Sequence, residues 1–139
     1  MAKESGIGMT VTIDDAAGSG QAITNDITNV QISTPRGVQD ITGLDKSAIE
    51  RLLLLADGTL TFNGVFNDAA NMSHAVLKTV PTQSGTGTGA TRTVVIVHSG
   101  QTLTVEVVFT DYSLNRAQDG SLTWTATGVV ANGTAPTWS

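Results

Sequence analysis

Two histidines, one pair of adjacent aspartates, one glycine-rich run and two tryptophans are the raw material from which this chain would have to build chemistry. His74 and His98 carry imidazoles that titrate near neutrality, yet neither sits in an H-x-x-E-H or similar ligand spacing. His98 falls at a strand end beside a turn and His74 in a short helical stretch, so both read as structural. Asp14 and Asp15 either point to opposite faces of a strand or share a solvated turn, and cannot act as a dyad. The run "GTGTG", Gly85 to Gly89, has the composition of a phosphate cradle but lacks its context. A cradle needs a strand leading through it into a helix, and the chain from Thr91 onwards is strand-like. Trp124 and Trp138 have rings that could stack on sugars, but Trp124 alternates in register with Leu122 and Ala126 and so belongs to a core. Asn71-Met72-Ser73 and Asn132-Gly133-Thr134 match glycosylation sequons, with no secretion signal to give them meaning. No catalytic, metal or cofactor set emerges, and the expectation is a protein that is not an enzyme.

The composition points elsewhere. Charged residues make up 14% of the 139 residues, against roughly 25% in an ordinary soluble domain. Apolar content is 40% and mean hydropathy is +0.08, so Thr, Ser, Asn and Gly have replaced the missing charge. Thr is β-branched and suits strands. A net charge of −5 argues against a nucleic-acid binder, which needs cations to displace counterions from phosphates. With no cysteine there is neither a disulfide framework nor a thiolate metal site. The start "MAKESGIGM" lacks an apolar signal core, and the longest aliphatic run, Leu52 to Ala56, is too short to span a bilayer. A soluble, intracellular protein without membrane partners is expected.

Most segments alternate with period two. Met9, Val11 and Ile13 oppose Thr10, Thr12 and Asp14; Val30 and Ile32 follow, then Leu60, Phe62 and Phe66 oppose Thr59, Thr61 and Asn63. Leu103, Val105, Val107 and Phe109 oppose Thr102, Thr104, Glu106 and Thr110, and Leu122, Trp124 and Ala126 oppose Thr123, Thr125 and Thr127. Such half-buried strands predict antiparallel sheets around one core. "TVVIVHSGQTLTVEVVF" reads as a hairpin bent at Ser99-Gly100-Gln101, with Val94 to Val97 apolar on both faces and expected to be covered on both. A helix is expected from Asp45 to Leu55, started by Asp45 or by the capping box of Ser47 and Glu50, with Ile49, Leu52, Leu53 and Ala56 on one side. A weaker helix runs through Asn71 to Val80, and Pro81 to Ala90 reads as a flexible Gly/Thr-rich loop. The fold class is mainly β: an antiparallel β-sandwich or partial barrel with one or two flanking helices, in a single domain over residues 1–139.

The polar faces are threonine where a free-standing sandwich would carry Lys and Glu to guard its edges. Between Thr91 and Phe109 the only charges are Arg92 and Glu106. Either copies of the same protein occupy the edges while the polar faces line something wet, or the chain is an ordinary Thr-rich sandwich.

The stretch "ISTPRGVQDITGLDKSAIERLLLLADGTLTFNGVFN", Ile32 to Asn67, resembles the major tail tube proteins of long-tailed, siphovirus-type bacteriophages, particularly those of actinobacteria. The ending "DGSLTWTATGVVANGTAPTW", Asp119 to Trp138, resembles theirs too. The resemblance implies a β-sandwich with a flanking helix, joined in hexameric rings that stack into a hollow tube for the genome. It implies tail tip, tape measure and terminator proteins as further partners, double-stranded DNA passing through unbound, assembly in the host cytoplasm, and residence in the virion tail. Six copies at −5 each would carry about −30 per ring, suiting a bore that repels DNA and lets it slide. Candidate lumen residues are Thr102, Thr104 and Glu106, joined by Thr123, Thr125 and Thr127; the alternative is an outer face. The loop Thr34 to Gly43, with Pro35, Arg36, Val38 and Asp40, is the candidate for stacking one ring on the next, or a plain crossover. The alternative functions are another virion β-protein, such as a capsid decoration or tail-completion subunit, and a carbohydrate-binding sandwich.

Overall fold

The computed structural model describes residues 3–139; Met1 and Ala2, the start of the stretch read for a signal segment, lie outside the described residues. Along the chain come β1 (Thr10–Asp14), β2 (Gly20–Ala22), β3 (Ile27–Ser33), β4 (Arg36–Asp40), β5 (Arg51–Ala56) and β6 (Thr59–Val65). Helix α1 (Ser73–Leu77) and a 3-10 turn at Val80–Thr82 follow, then β7 (Thr91–His98), β8 (Gln101–Arg116), β9 (Leu122–Val130) and β10 (Thr137–Trp138). One antiparallel sheet has the order β2-β1-β7-β8-β9-β6-β3, with β10 also beside β8, while β4 and β5 form a separate two-stranded sheet.

The long strand β8 is what folds this sheet over itself. Its 16 residues give a contour of about 50 Å at ~3.3 Å per residue. Residues Thr91 to His98 pair with Gln101 to Val108, whereas β9 pairs with Val107 to Arg116. The register shifts between Phe109 and Asp111, a bulge that bends the strand where it passes from one half of the sheet to the other. Both halves bury alternate residues in a common core: Val11, Ile13, Val94, Ile96, Leu103, Val105 and Val107 from one, Leu60, Phe62, Trp124 and Ala126 from the other. Val76 and Leu77 of α1 and Ile23 close it. Trp124 lies in that core as its register required, its indole N–H donating to the Val65 carbonyl at 3.1 Å. Gly64 faces that indole, and a Cβ there would stand 2.6 Å from the ring. The β7–β8 turn is as tight as it can be: Ser99 and Gly100 both have positive φ (53° and 78°), the mirror-image turn that matches strand twist.

Arg92 is the first surprise. It shares the inward register of Val94 and Ile96 and is 1% exposed. Its guanidinium donates to the carbonyls of Gly89 (3.0 Å), Asp14 (3.3 Å) and Val76 and to Thr79 Oγ1 (2.8 Å). Burial pulls its pKa down, opposed by Asp15 and Asp14. The same cation thus ties α1, the 3-10 turn and the end of the 81–90 loop to the sheet.

Two expectations fail. Asp45 to Leu55 is not a helix: Leu44 and Asp45 lie in a turn and Arg51–Ala56 is strand β5. The capping box never forms, because the Glu50 N–H donates to Thr42 Oγ1 (2.8 Å), itself held by Asp40 Oδ1 (2.6 Å). Nor is Thr34 to Gly43 a loop, since Arg36–Asp40 is strand β4, paired with β5. Arg36 clamps this hairpin by donating from Nη2 to the Leu54 carbonyl at 2.6 Å. A run of four leucines fits a strand as well as a helix, and cross-strand pairing decided between them. Of the two flanking helices allowed for, the weaker one exists, as α1.

Candidate assembly surfaces

Three surfaces have the character of unfinished contacts. The first is the outside of the folded sheet. On the β7–β8 half, Thr102, Thr104 and Glu106 stand opposite Val97, Val95 and Thr93. The expected double cover of this strand is half present, since Val94 and Ile96 are fully buried but Val95 and Val97 only partly. With Arg92 turned inward, Glu106 is the one charge on the outer face of this hairpin, and the Thr93 hydroxyl donates to its Oε2 at 2.6 Å. On the β9–β6–β3 half, Thr123, Thr125 and Thr127 stand opposite Val65, Asn63 and Thr61, and beyond them lie Asn29, Gln31 and Ser33. Thr125 donates to Asn63 Oδ1 at 2.8 Å. The two threonine sets are therefore on different halves, with the shared core between them.

The second surface is a pair of strand edges. β3, "ITNVQIS", ends the sheet with no charge and no proline along it. At the other side of the same half, Asp111 to Arg116 of β8 pair with β9 on one edge only, because β7 stops opposite Val108. Four strands, β8, β9, β6 and β3, thus form a half-sheet open at both margins among the described residues. Near the β3 margin a groove of about 390 Å³, lined by Met9, Val11, Ile27 and Val30 among others, marks where the barrel does not close.

The third is the β4–β5 arm, which carries the stacking candidates Pro35, Arg36, Val38 and Asp40. The register sets Val38 against Leu53 and Gln39 against Leu52, so both faces of the hairpin bear leucine. Leu53 is 61% and Leu55 90% exposed, and Val38, Leu52 and Leu54 are exposed as well.

The residues considered for chemistry scatter. His74 Nδ1 is 3.0 Å from the Tyr112 hydroxyl, and its ring packs against Phe66 with centroids 4.8 Å apart. Burial raises the Tyr112 pKa. His98 pairs with Gln101 at the far end of β7. Asp15 holds a turn, its Oδ1 accepting from the Ala17 and Ser19 amides. Trp138 is exposed on β10, away from the buried Trp124. No helix among the described residues is long and apolar enough to cross a membrane.

No protein-family model and no curated protein sequence matches the chain. Solved structures do match, over nearly the whole length. A chain from the tail of an empty gene transfer agent particle, solved by helical refinement with C6 symmetry, superposes with a TM-score of 0.76 at 17% identity, covering 99% of each chain. A chain from the virion of the native gene transfer agent gives 0.76 at 14% identity, again over 99% of each. A chain of the anti-feeding prophage baseplate, 6-fold symmetrised, gives 0.64 at 12% identity, over 100% of this chain and 97% of that one. The chain thus has a tail-tube-like antiparallel β fold, shared with components of particle tails and a baseplate.

Proposed function

We propose that this protein is a structural subunit of a virion tail, whose copies close into rings that stack as a tube for DNA. The observation that carries the reading is the half-sheet β8-β9-β6-β3 with a free edge on each side. An edge recruits another strand unless charge, proline or cover prevents it; β3 has none of these among the described residues, and the β8 margin carries only Asp111 and Arg116, a pair of opposite sign. Two different edges on one half-sheet make a head-to-tail contact, which closes into a ring when the rotation allows. Six copies per ring is supported by the C6 and 6-fold symmetry of the particles whose chains share the fold.

Such a ring puts one outer face of each half-sheet toward a common bore. Thr123, Thr125 and Thr127, with Thr61, Asn63 and Gln31, supply a face of hydroxyls and amides whose one formal charge, Asp111 opposite Thr127, is negative. DNA meets no cation there to hold it. Thr102, Thr104 and Glu106 lie on the other half and face away from this bore. The arm then joins ring to ring, because its two apolar faces need cover that its own chain does not provide.

Negative-stain electron microscopy of the concentrated protein tests the reading: hollow filaments of uniform bore are expected, and discrete particles at every concentration would refute it. Thr125→Lys should leave filaments intact while adding cations to the bore; if filaments fail instead, the threonine face is a contact and not a lining.

A further inference from the structure

After β9 the chain leaves β8 and then returns to it. Val130 pairs with Val107, the Ala131 amide donates to the Glu106 carbonyl at 3.1 Å, and pairing resumes with Thr137 opposite Thr104. Residues 132–136 bow outward between these points, shaped by an Asx turn in which the Thr134 amide donates to Asn132 Oδ1 at 3.1 Å. Beneath the bow lies a recess of about 300 Å³ lined by Thr93, Thr104, Glu106, Asn132, Thr134 and Thr137.

Val105 and Ala135 give the recess an apolar part that suits an alkyl stem, and its polar part is mostly oxygen, with one formal charge. Glu106 Oε2 accepts from the Thr93 hydroxyl, while Oε1 has no hydrogen-bond partner among the described residues. A carboxylate excludes anions and favours a cation that brings N–H donors. A guanidinium binds best across both oxygens of a carboxylate, and here the Thr93 hydroxyl occupies one of them. Calcium and magnesium ask for a fuller oxygen shell, ordinarily with more than one carboxylate at an all-protein site. A primary ammonium asks for about three acceptors around a point charge, which Oε1 and the neighbouring threonine oxygens can provide.

We infer that this recess binds a primary ammonium group. Two sources carry that chemistry: a lysine of another copy of this chain, with Lys3, Lys46 and Lys78 all exposed, or a free alkylamine. The inference stands on the bow and on Glu106, independently of ring formation on the other half of the sheet.

The test is a titration of dilute, 15N-labelled full-length protein with butylammonium chloride, with tetramethylammonium chloride at equal ionic strength as control. Saturable shifts of the Thr93, Glu106, Asn132 and Thr134 amides are expected, with a midpoint on the order of 10 mM for one partly exposed ion pair. Glu106→Gln should weaken binding about tenfold by removing the charge, and Thr134→Val about threefold by removing one acceptor. Shifts that grow linearly with salt, match those of tetramethylammonium, or survive Glu106→Gln would overturn the inference. Sedimentation then separates the sources. If a lysine of another copy is the occupant, Glu106→Gln and one of Lys3→Met, Lys46→Met or Lys78→Met weaken self-association alike; if a free amine is, the lysine variants change nothing. Loss of butylammonium binding with filaments intact would sink this site alone, and the reverse would sink only the tube.

Discussion

The β7–β8 and β4–β5 hairpins are both antiparallel pairs rich in aliphatic residues, and they meet opposite fates. In the first, Val94, Ile96, Leu103 and Val107 are wholly buried by the rest of the chain. In the second, Leu53 and Leu55 are 61% and 90% exposed, and Val38, Leu52 and Leu54 leave leucine or valine exposed on both faces. A fully buried aliphatic side chain contributes about 1.5–3 kcal/mol, so one hairpin holds this fold together and the other holds that stabilisation in reserve. The contrast separates residues that this fold uses for its own stability from residues that the proposed assembly would cover.

If that separation is sound, stability and assembly break independently. Leu53→Asp with Leu55→Asp should abolish filaments altogether, since a charge on each leucine must be desolvated in any contact. The melting point of the monomer should barely move, because exposed substitutions stay within about 0.5 kcal/mol. A large melting shift in this variant would mean the arm belongs to the monomer's own stability, and the comparison fails. Phe62→Ala is the mirror experiment. It empties a site that is 0% exposed in the core and should cost about 3–5 kcal/mol. At about 3 °C per kcal/mol for a chain of this size, calorimetry should show a fall of roughly 10–15 °C. Filaments should still form below the new midpoint.

Arg92 sharpens the comparison from inside. Arg92→Met keeps length but leaves the Gly89, Asp14 and Val76 carbonyls without their guanidinium donor. A loss of about 2–3 kcal/mol is expected by chemical denaturation. Arg92→Lys should recover less than half of it, because an ammonium cannot reach around a fork of acceptors. Full recovery by lysine would show that charge alone, and not the geometry of the fork, fastens α1 to the sheet.

What could be read in the amino-acid order follows the same division. Met9 to Ile13, Leu103 to Val107 and Leu122 to Thr127 announced themselves by alternation because the chain itself buries one face of each. The turn at Ser99-Gly100 was visible for a local reason, the glycine after a short polar residue. Ile49 to Ala56 misled because little of the folded chain packs on it, so its spacing satisfied a helix and a strand equally, and Thr42, not Ser47, took the Glu50 amide. Arg92 sends two signals: its place in the Val94 and Ile96 register puts it inside, but a charge at the start of a strand suggests a surface. The open margin of β8 at Asp111 to Arg116 left no mark, since the alternation of Tyr112 and Leu114 with Asp111, Ser113 and Asn115 shows a strand with two faces but not which of its edges goes unpaired. The bow at residues 132–136 left only the Asn-Gly pair that begins it.

The smallest effect tests whether the turns, as well as the core, are tuned for the lone chain. Asp15 has its pKa lowered, chiefly by the Ser19 amide and then by Gln21 and Ala17, with burial opposing. A group whose folded pKa lies below its unfolded value of 3.8 adds stability that is present above that value. That contribution is lost as pH falls through the folded pKa, so the window lies below pH 3.8. Because Asp15 is open to solvent, the effect should be well under about 1 kcal/mol. Asp15→Asn keeps an acceptor oxygen for the same amides but has no proton to gain. Thermal melts of the two proteins at pH 7 should show the wild type slightly ahead, and at pH 2.5 the gap should close. A gap of constant size across that range would mean that the turn is held by shape alone and that the charge on Asp15 is incidental to the fold.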